Sequence, residues 1–158
     1  MRFLHVLSAA VLIGGILARQ IVRSLAKKTD DVQRFAIMSQ AAGRIESTMV
    51  IPGNMAVVVL GVILALILGA PMLGFLQGAD RNWLLVSNIL LVIGLLNVPL
   101  VFIPRGRKFE PILKDAVARG EMTAELRAAL SDPVVRLAHV YEMAMIVVVV
   151  YLMVFKPF

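Results

Sequence analysis

The chain has 158 residues, of which 60% are hydrophobic and only 16% charged, and its mean hydropathy is +0.91. Such a composition excludes an ordinary soluble domain of this size and points to a polytopic membrane protein. There is no cysteine, so disulfides, thiolate metal sites and thiol nucleophiles are excluded as well. The net charge of +6 would suggest nucleic acid in a soluble protein. Here the basic residues flank apolar runs, so we read topology, anionic lipid headgroups as partners, and no nucleic acid.

The first stretch, Phe3 to Arg23, is long enough to cross a bilayer core of about 30 Å at about 1.5 Å per residue. Wound as a helix, it gathers His5, Ser8, Leu12, Gly15, Arg19 and Arg23 on one arc, and Ala10, Gly14 and Ala18 on the opposite side. Small residues at four-residue spacing admit a neighbouring helix, and an ionisable residue at membrane depth must face protein or water. The expected seam is therefore the Ala10/Gly14/Ala18 face, packed on a second helix. A secretory signal peptide is the other reading of residues 1 to 20. The run is longer than the usual apolar core of such a peptide, and its positive charge follows instead of preceding.

Ala26 to Thr29 make a polar break, and Thr29-Asp30-Asp31 offer capping side chains for a new helix. Phe35, Met38, Ala42, Ile45 and Met49 recur at helical spacing, with Arg34, Gln40, Arg44 and Glu46 elsewhere around the helix. This predicts an amphipathic helix that Pro52-Gly53 kinks or restarts. A second span follows at about 51–70, with Gly61, Ala65 and Gly69 as its small residues.

Residues Pro71 to Asn82 connect to Trp83, which stands at an interface position and opens a third span at about 83–103. Ser87, Gly94 and Asn97 share one side of it, a pattern that fits ordinary interhelical hydrogen bonding. Pro104 is expected to end that span. Arg105 to Ser131 reads as a solvated or surface-bound loop with helical pieces near Pro111–Arg119 and Met122–Leu130. Asp132-Pro133 is a helix start, and the fourth span runs from about 134 to 155.

The fold expected is all-α: one domain over 1–158, a bundle of four transmembrane helices with cytoplasmic amphipathic helices. The two long loops with their flanks hold 13 of the 16 Lys and Arg residues, and the other side holds Arg2, Arg81 and Lys156. By the positive-inside rule both termini face outward across a bacterial inner membrane.

Two sites invite chemistry. His5 lies near the outer end and His139 near the inner one, too far apart for one haem to use both. A single-ligand haem b on His5, with Met72 or Met153 as a second ligand, is one reading; a histidine that bonds a neighbour is the other. At the inner end, Glu142 falls within the hydrocarbon, three residues beyond His139 on its own helix, with Arg19 on the first helix as the expected ion-pair partner. The trio Arg19, Glu142 and His139 reads as a structural clamp or as a proton- or anion-handling site. No metal-ligand cluster is expected, and the nine methionines read as packing.

The opening FLHVLSAAVLIGG, the stretch IESTMVIPGNMAVVVLG, Trp83-Leu84 and the closing YLMVFKP resemble the bacterial integral-membrane family called domain of unknown function 2269. The likeness runs nearly the full chain. That family is more distantly similar to copper-resistance-D-like membrane proteins and to the four-helix protoporphyrinogen oxidase, in which a first-helix histidine followed by a glycine pair holds haem. His5 with Gly14-Gly15 falls on that motif, which implies haem or porphyrin as a ligand. Leu12-Ile13 and Ser87 stand where the oxidase pattern has tryptophan and lysine, which argues against oxidase activity. The functional expectation is a binding or accessory membrane component, compatible with a homo-oligomer. The alternatives are a haem-binding redox protein using His5 and a small transporter or channel subunit using Arg19 and Glu142. Whether it is an enzyme the residues leave undecided.

Overall fold

The computed structural model describes residues 1–158 and is helical throughout, without strands. Four helices are long and apolar enough to cross a membrane: Arg2–Ala26, Val32–Ile67, Trp83–Arg119 and Ala124–Phe155. The expected all-α architecture with four spans is what the chain adopts. It divides into two compact units, residues 1–68 with 112–130, and residues 69–111 with 131–158.

In the first unit, α1 (Arg2–Ala26) lies against α2 (Val32–Ile45) and α3 (Ile51–Ile67). Asp31 caps α2, its Oδ1 accepting from the Gln33 and Arg34 amides at 2.9 and 3.2 Å, which satisfies donors that a first turn leaves orphaned. Pro52 does not restart the helix. A π turn at Glu46–Val50 joins α2 to α3 without a break. The wider turn relieves the clash that a proline ring makes with the carbonyl four residues back, and the Ile51 amide reaches the Glu46 carbonyl instead.

α1 and α3 are packing partners as expected, but through the opposite face of α1. A Cβ on Gly14 would meet nothing within 4 Å, whereas one on Gly15 would lie 2.8 Å from Met49 Cβ. One on Gly53 would lie 3.2 Å from the Leu12 backbone, and one on Gly61 would lie 3.0 Å from the His5 ring. The seam is thus the arc of His5, Leu12, Gly15 and Arg19. Charge and hydrogen-bonding capacity need protein neighbours in an apolar solvent more than small side chains need close packing.

Well-buried apolar residues of this unit are Ala26, Val32 and Phe35, which flank the α1–α2 connection, Ala42 further along α2, Ala116 in the second half of α5 (Ile103–Arg119) and Leu126 in α6 (Ala124–Leu130). Arg127 of α6 pairs with Asp30 at 2.9 Å. Residues 105–131 thus form the second half of α5 and α6, where helical pieces are expected, with Ala116 and Leu126 the buried positions among largely exposed ones. Ala116 and Leu126 supply an apolar face to bury, and α5 continues unbroken from the third span.

In the second unit, α4 (Trp83–Asn97) packs on α7 (Pro133–Phe155). The Tyr141 hydroxyl donates to the Leu90 carbonyl at 2.7 Å, and a Cβ on Gly94 would lie 3.0 Å from Met145 Sδ. A second π turn, Val98–Phe102, carries the chain past Pro99 and Pro104 into α5. Pro104 thus fails to end the span for the same reason as Pro52. Asp132 caps α7 through the Val134 and Val135 amides and also accepts from Arg105 Nε at 2.7 Å. At its far end α7 stops at Lys156 in a left-handed conformation (φ 48°), and the Phe158 carbonyl accepts from the Asn82 and Trp83 amides.

Candidate functional site

Arg19 sits on the polar arc in the second half of α1 and is only 3% exposed. Gly15, one turn earlier, lets Met49 approach, which brings the π turn alongside α1. Glu46 opens that turn, and its carboxylate forms an ion pair with the Arg19 guanidinium. A guanidinium stays charged at any relevant pH and has donors but no acceptor, so Arg19 can hold an anion but cannot release a proton. Beside it, the Ser47 and Thr48 hydroxyls both donate to the Arg44 carbonyl, at 3.1 and 2.7 Å, where the ladder is loosened.

Toward the other end of α1, the His5 imidazole lies against Gly61 of α3. Its Nδ1 is buried and has no hydrogen-bond partner, an arrangement that costs about 1–3 kcal/mol if nothing else satisfies the atom. Ser8, next along the arc, turns back on its own helix and donates to the Leu4 carbonyl at 2.9 Å.

In the second unit, His139 Nδ1 lies 3.4 Å from Glu142 Oε2 on the same helix, and both side chains are less than one-fifth exposed. The imidazole stacks on Phe102, the last residue of the second π turn, with ring centroids 4.9 Å apart. By helix rise Glu142 stands about 15 Å beyond Asp132, roughly half a bilayer core from that end. No group of three or more His, Asp or Glu side chains is placed to hold a metal ion.

Sequence reasoning puts Arg19, Glu142 and His139 in one trio. The structure brings His139 to Glu142 and adds Glu46 beside Arg19, an acid that the sequence pattern places only among the polar residues of α2. The residues that complete the picture, Glu46 and Phe102, both belong to π turns next to prolines. The signal is present as an acid a turn and a half before Pro52, on a helix with no glycine or asparagine stop between them.

A family model described as a predicted integral membrane protein (DUF2269) matches residues 1–157. No curated protein and no solved structure matches the chain.

Proposed function

The chain belongs to the DUF2269 family of predicted integral membrane proteins, and from that premise we propose that it acts as a binding or accessory component of the bacterial inner membrane, with both termini outside. The observation that carries this reading is the enclosure of Arg19, 3% exposed and ion-paired with Glu46 across the α1 seam. A charge closed between two helices fixes their register. Glu46, its partner, is the outer member of the pair, with about a third of its side chain exposed (32%).

A second reading has one observation in its favour. The buried, unpartnered Nδ1 leaves His5 not fully accounted for by protein hydrogen bonds, and an imidazole at a helix end is the side chain that haem b would use as an axial ligand. His5 fits the demand for one such ligand, and the bound group would supply one-electron redox chemistry.

One experiment separates the readings. Protein purified in detergent from haem-replete cells is examined by visible absorption, then reconstituted and assayed for proton and anion flux. An accessory component gives no stoichiometric Soret band and no flux above empty vesicles. A Soret band lost in His5→Ala installs the haem reading, and flux abolished in Arg19→Met installs a transporter reading.

A further inference from the structure

The connection between α3 and α4 is built, not slack. Gly74 and Gly78 take left-handed conformations (φ 54° and 72°) around a 3-10 turn at Gly74–Gln77, which L side chains rarely adopt. Side chains then tie it down. Asn82 Oδ1 accepts from the Phe75 amide at 2.8 Å, Gln77 Oε1 accepts from the Leu73 amide at 3.0 Å, and Asn88 of α4 donates to the Met72 carbonyl at 3.0 Å. A Cβ on Gly74 would collide with the Asn82 side chain.

What this scaffold presents is apolar. Leu73, Phe75 and Leu76 are 49%, 64% and 65% exposed, and the segment carries no charge before Asp80 and Arg81. Three large hydrophobic side chains held outward by a hydrogen-bonded turn are not what a water-facing connection needs. The end of the unit at which they stand has the side chains of a membrane–water boundary. Lys156 Nζ lies 5.4 Å from the centroid of the Trp83 ring, and Tyr151 packs on Phe155 at 4.9 Å; Trp, Tyr and Lys are the residues that settle at headgroup level. Along the third span, Trp83 to Arg105 rises about 33 Å, close to the ~30 Å of a bilayer core. The lipid-exposed surface of α4 and α7 therefore continues directly into the Leu73–Leu76 turn.

We infer that this turn is an interfacial anchor: Leu73, Phe75 and Leu76 seat between the headgroups and upper acyl chains of the leaflet at the α3–α4 end, with phospholipid as the occupant. The inference rests on the membrane reading of α4 and α7, so its test carries a control for that reading. Because the chain has no cysteine, single cysteines can be labelled with a nitrobenzoxadiazole fluorophore in protein reconstituted into phosphatidylcholine vesicles. The variants are Leu76→Cys and Phe75→Cys for the turn, Asp80→Cys for the aqueous reference and Val92→Cys for the span.

Quenching is compared for iodide in water and for lipids bearing a nitroxide near the headgroup or at the chain end. The turn labels should be shielded from iodide and quenched most by the shallow nitroxide, with blue-shifted emission, while the Asp80 label stays open to iodide. Turn labels as open to iodide as the Asp80 label would overturn the anchor, provided the Val92 label is quenched by the deep nitroxide. Labels shielded from both quenchers would mean protein cover, a second copy of the chain included, and would equally overturn it. A Val92 label open to iodide would remove the membrane reading itself, and the anchor with it.

Discussion

Two adjacent glycines on α1 should respond in opposite directions to the same substitution. At Gly15 a new Cβ would stand 2.8 Å from Met49 Cβ, with a Val50 methyl at 3.2 Å. Carbon pairs settle at about 3.5–4.0 Å, so the shortfall is roughly an ångström. Because the obstructing atom is a Cβ, fixed to its backbone, the helices themselves must part. Overpacking of this kind costs about 1–3 kcal/mol, and replacing glycine by alanine inside a helix returns about 1 kcal/mol. Gly15→Ala should therefore lose about 1 kcal/mol net. Gly14→Ala meets nothing within 4 Å, and should gain up to about 1 kcal/mol. The difference, about 2 kcal/mol, corresponds to roughly thirtyfold in the folding equilibrium. Reversible unfolding followed by circular dichroism in mixed micelles reads it directly. If Gly15→Ala proves as stable as Gly14→Ala, the seam assigned to α1 is wrong, and the Ala10/Gly14/Ala18 face returns as the packing surface.

Four further outcomes are expected. Tyr141→Phe removes the bond to the Leu90 carbonyl and should cost about 0.6 kcal/mol, typical of interhelical hydrogen bonds in membranes; a neutral result would mean the bond has no net worth. At Asp132 burial opposes the charge, but hydrogen bonds from Arg105, Val134 and Val135 and the Arg105 charge outweigh it, so the carboxyl titrates below its ordinary value. Stability from a depressed carboxyl is present above the unfolded-state pKa of about 3.9 and is lost as pH falls through the folded one; melting temperatures in detergent should therefore fall more steeply in wild type than in Asp132→Asn below that pH, and parallel curves would refute the linkage. Glu46→Gln should be worse than Glu46→Gln with Arg19→Met, because the single change withdraws a carboxylate from a buried cation; strict additivity in the double-mutant cycle would show the pair to be uncoupled. The same cycle on Arg19→Met and Glu142→Gln tests the pairing read from the sequence, with non-additivity expected.

The spans are legible in the sequence because an apolar run of about twenty residues matches the thickness of a bilayer core and little else. The starts of α2 and α7 are legible because Asp31 and Asp132 are caps with amide donors two and three residues on. The packing face of α1 is not, and the reason is physical. Ala10, Gly14 and Ala18 satisfy a spacing rule derived from close-packed helix pairs, but they gain little where lipid packs as well as protein. Arg19 has no such freedom, since lipid offers it no acceptor, and Gly15 lies on the same arc to let Met49 in. Where the two cues point to opposite sides of a membrane helix, the charged residue decides.

Glu46 and Phe102, which meet Arg19 and His139, lie on stretches that a strict proline rule would cut at residues 52 and 104. Yet a true stop also needs a cap, and neither ESTMVI before Pro52 nor VPLVFI before Pro104 contains a glycine or asparagine to provide one. An uncapped proline inside an otherwise helical run has to be absorbed, and the π turn is the way both units absorb it. The consequence reaches the site: Glu46 is the first residue of one π turn and Phe102 the last of the other, and each touches the ionisable side chain of its own unit, Arg19 and His139. In each turn the amide bonds reach one residue further back, Ile51 to Glu46 and Ile103 to Val98. The two ionisable groups are thus each held against a π turn of a neighbouring helix.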